Sequence, residues 1–154
     1  MIRPIIRKLG IKVAAAADKA CKDSTANNKP LKTANSKKTA KMACGDRAED
    51  FALKTLQSKG FALEERNFHC RYGEIDLIMR DRDYIVFVEV RYRASSSFGG
   101  ALESIDQFKQ AKLRRAAEFY LVKRKINGCA CRFDILCVNG NLNKPDYEWI
   151  ANAF

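Results

Sequence analysis

Two short, strand-like segments of the chain carry acidic side chains where a buried strand would carry apolar ones. The first spans residues 73–78 and includes Asp76, and the second spans residues 86–91 and includes Glu89. Successive strand residues point to opposite faces of a sheet, so we expect each acid to share its face with the residues two positions away. Acidic side chains are rarely buried unless they are paired or bound to a metal ion. The pattern therefore favours a metal site over a solvated edge.

The connection between the two segments is short and polar, with Asp81, Arg82 and Asp83 at its centre. This predicts an antiparallel hairpin, on which Asp76 and Glu89 converge. In such a pair the carboxylates hold Mg²⁺ through oxygen ligands, and the metal polarises a phosphate and lowers the pKa of a bound water. A cation two residues after the second acid then stabilises the developing charge. Here that cation is arginine, in the sequence Glu89-Val90-Arg91.

The predicted helices add further charged candidates. In the first helix, Glu49 falls inside the apolar arc, which predicts a third metal-site carboxylate; the alternative is a capping or edge glutamate. In the long second helix, Lys109 and Lys112 fall on the predicted apolar face, which includes Phe108. Either ammonium can reach the site where Arg91 replaces a lysine, or both simply extend along the core to solvent. We include Lys112 with Asp76, Glu89 and Arg91 in the predicted catalytic group.

Three other polar residues are assigned lesser roles. Glu74 begins its strand, which predicts a peripheral position, and Asp134 in the fourth strand predicts a structural ion pair with Arg132 or Arg91. His69 is the single histidine and is not expected to be catalytic. The aromatic residues fall mostly at core positions, so the sequence does not indicate a platform for stacking bases.

The elements that must position these residues alternate in type. We predict a helix over 46–59, strands over 61–70, 74–80 and 84–92, a helix over 102–125, a strand over 132–138 and a short strand over 147–150. The order αβββαβ predicts an α/β domain with a mixed central sheet and a helix on each side.

The charge divides the chain into two parts. Of the formal net charge of +11, residues 1–42 carry +9, from eleven Lys and Arg and two Asp, whereas residues 43–154 carry only +2. Residues 22–41 contain one large apolar residue and cannot bury enough surface to fold, so we predict a basic, disordered tail over 1–42 and a folded domain over 43–154. The tail is either an arm that contacts phosphates or a solvated segment with no specific partner.

Compartment and cofactor class follow from composition. The six cysteines include no C-x-x-C pair, and the chain has one histidine, so we expect reduced thiols and no structural zinc site. No segment has the pattern of a secretory signal or the length of a transmembrane helix. These features predict a cytoplasmic protein with no membrane partner.

Several motifs together resemble the YraN family of bacterial proteins. The residues that carry the resemblance are Ala48-Glu49-Asp50-x-Ala52, Asn67, 72–78, 86–93, Phe98-Gly99-Gly100, Lys109 with Lys112, Cys131-Arg132-Phe133-Asp134 and 149–154. The resemblance covers the chain from Gly45 onward. It implies a restriction-endonuclease-like fold, similar to Holliday-junction resolvases, with the PD-(D/E)xK signature. By position, Glu49, Asp76 and Glu89 match its acids, and Arg91 stands in place of its lysine.

Two functional hypotheses follow. The first is a nuclease that depends on Mg²⁺ or Mn²⁺ and acts on structured or branched DNA, with Glu49, Asp76 and Glu89 as metal ligands. The second is an accessory protein that binds nucleic acid and has lost catalysis, because arginine at position 91 does not surrender a proton near neutral pH. The resemblance to junction resolvases also implies a homodimer, since their substrate is two-fold symmetric.

Overall fold

A computed structural model describes residues 36–94 and 105–154, with side chains described from Met42 onward. In chain order the elements are the helix α1 (Ser36–Ser58), the strands β1 (Ala62–Cys70), β2 (Gly73–Asp81) and β3 (Tyr84–Arg93), the helix α2 (Gln107–Lys123), and the strands β4 (Ala130–Asn139) and β5 (Asp146–Ile150). The strands form one sheet in the order β1-β2-β3-β4-β5.

The sheet is mixed, as predicted. β3 and β4 pair in parallel, whereas the β1–β2, β2–β3 and β4–β5 pairs are antiparallel. The parallel pair requires a crossover, and α2 lies in the connection between its two strands. The predicted hairpin is confirmed, because Asp81 pairs with Tyr84 across a two-residue turn in which Arg82 has a φ of 53°. The chain is therefore an α/β domain with a mixed sheet.

The two helices cover opposite faces of the sheet. On one face, Ala52 and Leu56 of α1 pack in a core cluster with Val88 and Leu136 of the central strands. On the other face, Leu113, Ala116 and Tyr120 of α2 pack in a second cluster that includes Phe87, Ile78 and Phe133. Both faces of the centre are buried, which explains why residues 85–88 form a continuous apolar run rather than an alternating one.

One buried carboxylate adds side-chain hydrogen bonds to the backbone pairing that joins the C-terminal segment to β4. The Asp134 side chain, which is 0% exposed, accepts hydrogen bonds from Arg132 Nε at 3.1 Å, Trp149 Nε1 at 3.1 Å and the backbone N–H of Asn152 at 3.0 Å. Arg132 is thus the partner of Asp134, one of the two alternatives that the sequence left open. It also contacts Asp81 Oδ2 of β2 at 2.9 Å, so this cluster joins three strands.

The first helix begins earlier than predicted. It starts at Ser36 rather than at residue 46 and therefore includes the last residues assigned to the tail. Lysine, alanine and methionine in residues 37–42 are good helix formers. The low apolar content of the segment, from which disorder was predicted, does not reflect this helix propensity. The remainder of the predicted tail, residues 1–35, lies outside the described residues.

The second helix begins later than predicted, and its buried stripe is rotated. Asp106 is extended (φ −68°, ψ 165°) and caps the helix by accepting a hydrogen bond from the backbone N–H of Lys109 at 2.7 Å. The buried residues of the helix are Leu113, Ala116, Ala117 and Tyr120. The stripe is turned toward Ala117, so Phe108, predicted on the apolar face, is instead 69% exposed.

The predictions about disulfides and membrane-spanning helices can be compared with the structure only in the residues that it describes. Cys44, Cys70, Cys129, Cys131 and Cys137 form no disulfide there, and Cys21 lies outside it. No helix in residues 36–94 or 105–154 is long and apolar enough to cross a membrane.

Candidate functional site

Asp76 lies where β2 and β3 separate. Backbone pairing between the two strands ends at Leu77 and Val88, and beyond that point Asp76 Oδ2 accepts a hydrogen bond from the backbone N–H of Val90 at 2.7 Å. The alternation of β2 is interrupted here, because Ile75 packs in the α2-side cluster although Leu77, two residues later, packs in the α1-side cluster. The simple two-residue alternation expected around Asp76 is therefore wrong, and its carboxylate lies between the strands.

Glu89 is buried on β3, on the side of the sheet that α2 covers. Its side chain is 5% exposed, and Oε1 lies 2.9 Å from Lys109 Nζ and 3.8 Å from Arg91 Nε. Its second oxygen, Oε2, is buried and accepts no hydrogen bond from any described residue. A buried carboxylate oxygen without a donor is unfavourable, so this atom is suited to an added cation.

Glu49 approaches from α1, next to the buried Ala48. Its side chain is 17% exposed, whereas Asp46 and Asp50 are exposed, as the helical phase predicted. Arg66 Nη2 lies 3.4 Å from Glu49 Oε2, and the Asn67 side chain also hydrogen-bonds to this carboxylate. The first helix thus directs one acid of its three toward the sheet.

Burial, with some repulsion from neighbouring carboxylates, raises the pKa of all three carboxyl groups. Burial and the nearby charge of Glu89 raise the pKa of Asp76 to about 6, against the opposing effects of the Val90 N–H and Lys109. Burial raises the pKa of Glu89, and Lys109 and Arg91 oppose this. The pKa of Glu49 is raised by burial and then by the charge of Asp76. Asp76 is therefore coupled to both other acids, and such perturbed groups are typical of functional sites.

The three acids do not form a closed cage. Within residues 42–94 and 105–154, no group of three or more His, Cys, Asp or Glu side chains lies close enough together to hold a metal ion. The reason is their direction of approach, since Glu49 extends from α1 on one face and Glu89 contacts Lys109 of α2 on the other. Asp76 lies between them and is the group common to both electrostatic pairs.

The structure separates the two lysines that the sequence left as alternatives. Lys109 Nζ contacts Glu89, whereas Lys112 Nζ lies 4.5 Å from the centre of the Phe108 ring. Lys112 therefore lies outside the contacts of the carboxylates, although it shares a cleft of about 260 Å³ with Lys109. The rotated buried stripe of α2 accounts for this choice, because it turns Lys109 toward the sheet.

Polar residues of β1 also contribute to the site, although the sequence predicts no role for them there. Asn67 has a φ of 52°, in the left-handed region that asparagine tolerates, and this places its amide beside Glu49. His69 Nδ1 lies 3.4 Å from Glu74 Oε2, and both side chains are exposed. They line the cleft on the α2 side and a second cleft, of about 250 Å³, that contains Glu49 and Asp76. The peripheral position predicted for Glu74 agrees with this exposure.

Comparisons with known proteins match most of the domain. The model of a family described as "Uncharacterised protein family UPF0102" matches residues 48–138. A UPF0102 protein of Colwellia psychrerythraea is 42% identical over 122 residues, which cover 78% of this chain and 95% of the relative. A UPF0102 protein of Nitrosomonas europaea is 48% identical over 110 residues, covering 71% and 92%, and one of Neisseria gonorrhoeae is 47% identical over 108 residues, covering 70% and 91%. None of these names states an activity.

Proposed function

The chain belongs to the uncharacterised protein family UPF0102, and we propose that it is a metal-dependent nuclease that hydrolyses phosphodiester bonds in structured or branched DNA. The observation that carries this proposal is the buried Oε2 of Glu89, which has no hydrogen-bond donor among the described residues and lies near a second carboxylate, Asp76. Family membership confirms the resemblance to YraN proteins that the motifs indicated. It supplies no activity, so the proposal depends on the site.

The proposal includes the type of fold. The order of elements is α1, three antiparallel strands, α2 and a parallel fourth strand, with one helix on each face. This agrees with the restriction-endonuclease-like core that the motifs imply, in which acids on the second and third strands are the catalytic carboxylates. The extra strand β5 extends the sheet beside β4 and is far from Asp76 in the strand order.

A divalent cation fits the chemistry of these residues. Carboxylate oxygens are the ligands that Mg²⁺ and Mn²⁺ prefer, and two buried carboxylates close together are destabilised unless a positive charge compensates them. Asp76 and Glu89 would hold the ion, with Glu49 as the third acid predicted from the sequence. Bound there, the ion would supply charge neutralisation at the phosphate and a lowered pKa for a coordinated water.

The chain's own groups would orient the site and bind the phosphate. The Val90 N–H fixes one oxygen of Asp76, so this carboxylate is positioned before any ligand arrives. Lys109 brings its ammonium to Glu89 and supports charge on a phosphoryl oxygen at the same place, a role that the sequence left open between Lys109, Lys112 and Arg91. Arg91, near the same carboxylate, carries a guanidinium that can donate hydrogen bonds to phosphate but is not suited to act as a base.

One observation favours the second hypothesis, a nucleic-acid-binding protein without catalysis. The described residues contain no three-ligand group for a metal, and Lys109 already neutralises part of the Glu89 charge. In such a protein Asp76 and Glu89 would have only a structural role, and the basic segments would bind nucleic acid without them. The two hypotheses differ in whether Asp76 and Glu89 are needed for a chemical step.

The deciding experiment is a cleavage assay with the purified full-length chain. Four-way junction, flap and linear duplex DNA are incubated with Mg²⁺ or Mn²⁺ and analysed on denaturing gels. We expect metal-dependent cleavage that falls at least about a hundredfold in Asp76→Asn and in Glu89→Gln, since each removes a ligand charge without changing side-chain size. Glu148→Gln, which removes an exposed charge on β5, should cleave as the parent does.

Two results would contradict the nuclease proposal. Cleavage that persists in Asp76→Asn and Glu89→Gln at the parental rate would identify a contaminating enzyme. A parent protein that cuts none of the DNA substrates with either metal, but binds them, would favour the second hypothesis.

A further inference from the structure

The N-terminal end of α2 presents an exposed aromatic ring beside the carboxylate site. Phe108 is 69% exposed, and among the described large hydrophobic side chains it is the most exposed. The next residue in the chain, Lys109, contacts Glu89, and Lys112 Nζ lies 4.5 Å from the Phe108 ring centre. We propose that Phe108 stacks on an unpaired base of a nucleic acid whose phosphate is bound by Lys112, next to the carboxylate site.

The helical positions support one continuous edge. Residues four and seven positions after Phe108 lie on its side of the helix, and these are Lys112 and Arg115, both exposed. An aromatic ring followed by two cations on one exposed edge matches the alternation of base and phosphate along a single strand. The buried stripe of the helix, including Leu113 and Tyr120, faces the sheet and leaves this edge open.

The distribution of charge indicates that the partner is a polyanion. Residues 107–125 carry seven Lys and Arg and one Glu, a net charge of +6, whereas the rest of residues 43–154 carries eleven basic and fifteen acidic residues, a net charge of −4. The small net charge of the domain therefore conceals one strongly basic helix. A polyanion is attracted to the α2 side of the sheet, where Glu89 and Lys109 lie.

This arrangement selects a class of nucleic acid. A base inside a duplex is already stacked on its neighbours and cannot pack against Phe108, whereas a base in an overhang, flap or branch point can. The inference rests on the proposed function in taking nucleic acid as the ligand, and it adds that the bound nucleotide next to the site is unpaired. It does not require cleavage, so it can be tested by binding alone.

The test measures binding of the full-length chain to two labelled DNA probes by fluorescence polarisation, with EDTA present so that no cleavage occurs. One probe is a blunt duplex, and the other is the same duplex with a single-stranded deoxythymidine overhang. We expect the parent to prefer the overhang probe, and Phe108→Ala to weaken binding of that probe at least about fivefold, the low end of the effect of removing one stacking aromatic. Binding of the blunt probe should not change.

Val122→Ala is the matched control. Val122 is 67% exposed on the same helix but lies fourteen positions further along, so its substitution removes exposed apolar surface far from the site. The ratio of the two affinities also cancels the contribution of basic segments that contact phosphates in both probes. We expect Val122→Ala to keep the parental ratio.

A spectroscopic variant reports stacking directly. In Phe108→Trp the preference for the overhang should be retained, and the added indole emission should fall when the overhang probe binds. Val122→Trp, which places an indole at the far end of the helix, should show no such change.

Three outcomes would overturn the inference. In the first, Phe108→Ala keeps the parental preference for the overhang probe. In the second, Phe108→Ala loses affinity for both probes equally. In the third, light scattering shows that Phe108→Ala differs from the parent in oligomeric state, which would make Phe108 a contact between copies. A loss of preference in Phe108→Ala together with no cleavage by the parent would refute only the nuclease proposal. Cleavage by the parent with an unchanged preference in Phe108→Ala would refute only the stacking inference.

Discussion

Asp76 lies in an environment that disfavours the charged form of its side chain. Its carboxylate is buried, is repelled by Glu89, and is stabilised directly by one backbone N–H and at longer range by Lys109. Retaining a charge here therefore lowers the free energy of unfolding at neutral pH, and such local instability is typical of sites that hold a ligand.

Replacing this charge should stabilise the domain. Because the folded-state pKa of Asp76 is raised to about 6 from 3.8, the folded state binds more protons than the unfolded state between these values, and stability is lost as the pH rises through that window. Asp76→Asn can still accept the Val90 hydrogen bond and carries no charge. Without metal at about pH 8, we expect its free energy of unfolding in urea to exceed that of the parent by about 1–3 kcal/mol.

The pH dependence of the difference is the control for this prediction. Near pH 4 the parental carboxyl is protonated, so the advantage of Asp76→Asn should disappear. Titrating groups that do not interact with Asp76 are shared by both proteins and cancel. A variant that is less stable than the parent at about pH 8 would show that Asp76 is a structural charge.

Lys109 is expected to set the protonation of both acids. Its positive charge lowers the pKa of Glu89 and of Asp76, so Lys109→Gln should raise both values. The predicted result is an upward shift in the titration of these two carboxyl groups, followed by ¹³C NMR. Lys112→Gln removes the same charge from the same helix and should leave both titrations in place; equal shifts in the two variants would contradict the assignment of Lys109.

At the scale of the elements, local signals predicted more than packing signals did. The β2–β3 hairpin followed from two strand-like segments and a short polar connection, all visible within residues 73–91. The exact phase of α2 did not, because apolar spacing placed Phe108 on the same face as Leu113 and Tyr120. Packing against β2 and β3 keeps Leu113 and Tyr120 in the core and leaves Phe108 exposed. The same rotation decides between Lys109 and Lys112, so the sequence could name the pair of lysines but not choose within it.

The site shows the same division. Adjacent strands place Asp76 and Glu89 close together in any register near the observed one, so their proximity could be predicted from spacing. The separation of β2 from β3 could not, because it depends on the Asp76 side chain replacing a backbone acceptor for Val90. The α1 residue Glu49 was found because helical phase is a local property, whereas its contact with Asn67 depends on a left-handed residue in β1.

Besides its backbone pairing with β4, the strand β5 is attached to the sheet through a single buried carboxylate. Asp134 accepts hydrogen bonds from Arg132, Trp149 and the Asn152 backbone, so Asp134→Asn leaves Arg132 without a charged partner at this position and presents a donor where acceptors are needed. We expect a loss of about 3–5 kcal/mol in the free energy of unfolding, the effect of breaking a buried ion pair from one side. Trp149 fluorescence and urea denaturation would measure it.

Asp81→Asn is the matched comparison for this cluster. Asp81 pairs with the same arginine, but its side chain is 30% exposed, so the expected loss is about 1 kcal/mol or less. Equal losses in the two variants would show that the ion pair matters and that the hydrogen bonds to Trp149 and Asn152 do not.

At the scale of the whole molecule, positive charge is concentrated in two places. Residues 1–35 carry eight Lys and Arg and two Asp, a net charge of +6, and residues 107–125 carry another +6. The first segment precedes α1, and the second begins beside Glu89. Nucleic acid bound at the site would therefore contact α2 directly. The N-terminal segment would add to the affinity through contacts with phosphates further along the nucleic acid.

Removing residues 1–35 separates these two contributions without cutting into α1, which begins at Ser36. Each phosphate contact that is lost reduces the slope of log K against log salt by about 0.9 for duplex DNA, so we expect a shallower slope by a few units and weaker binding at low salt. The overhang preference arises at Phe108 and should persist, since stacking is not a phosphate contact. Polarisation titrations at several salt concentrations, with both probes, would measure slope and preference together. An unchanged salt slope would mean that the N-terminal segment makes no phosphate contacts and that the electrostatic contribution comes from α2. A lost preference for the overhang probe would mean that the N-terminal segment, rather than Phe108, recognises the single strand.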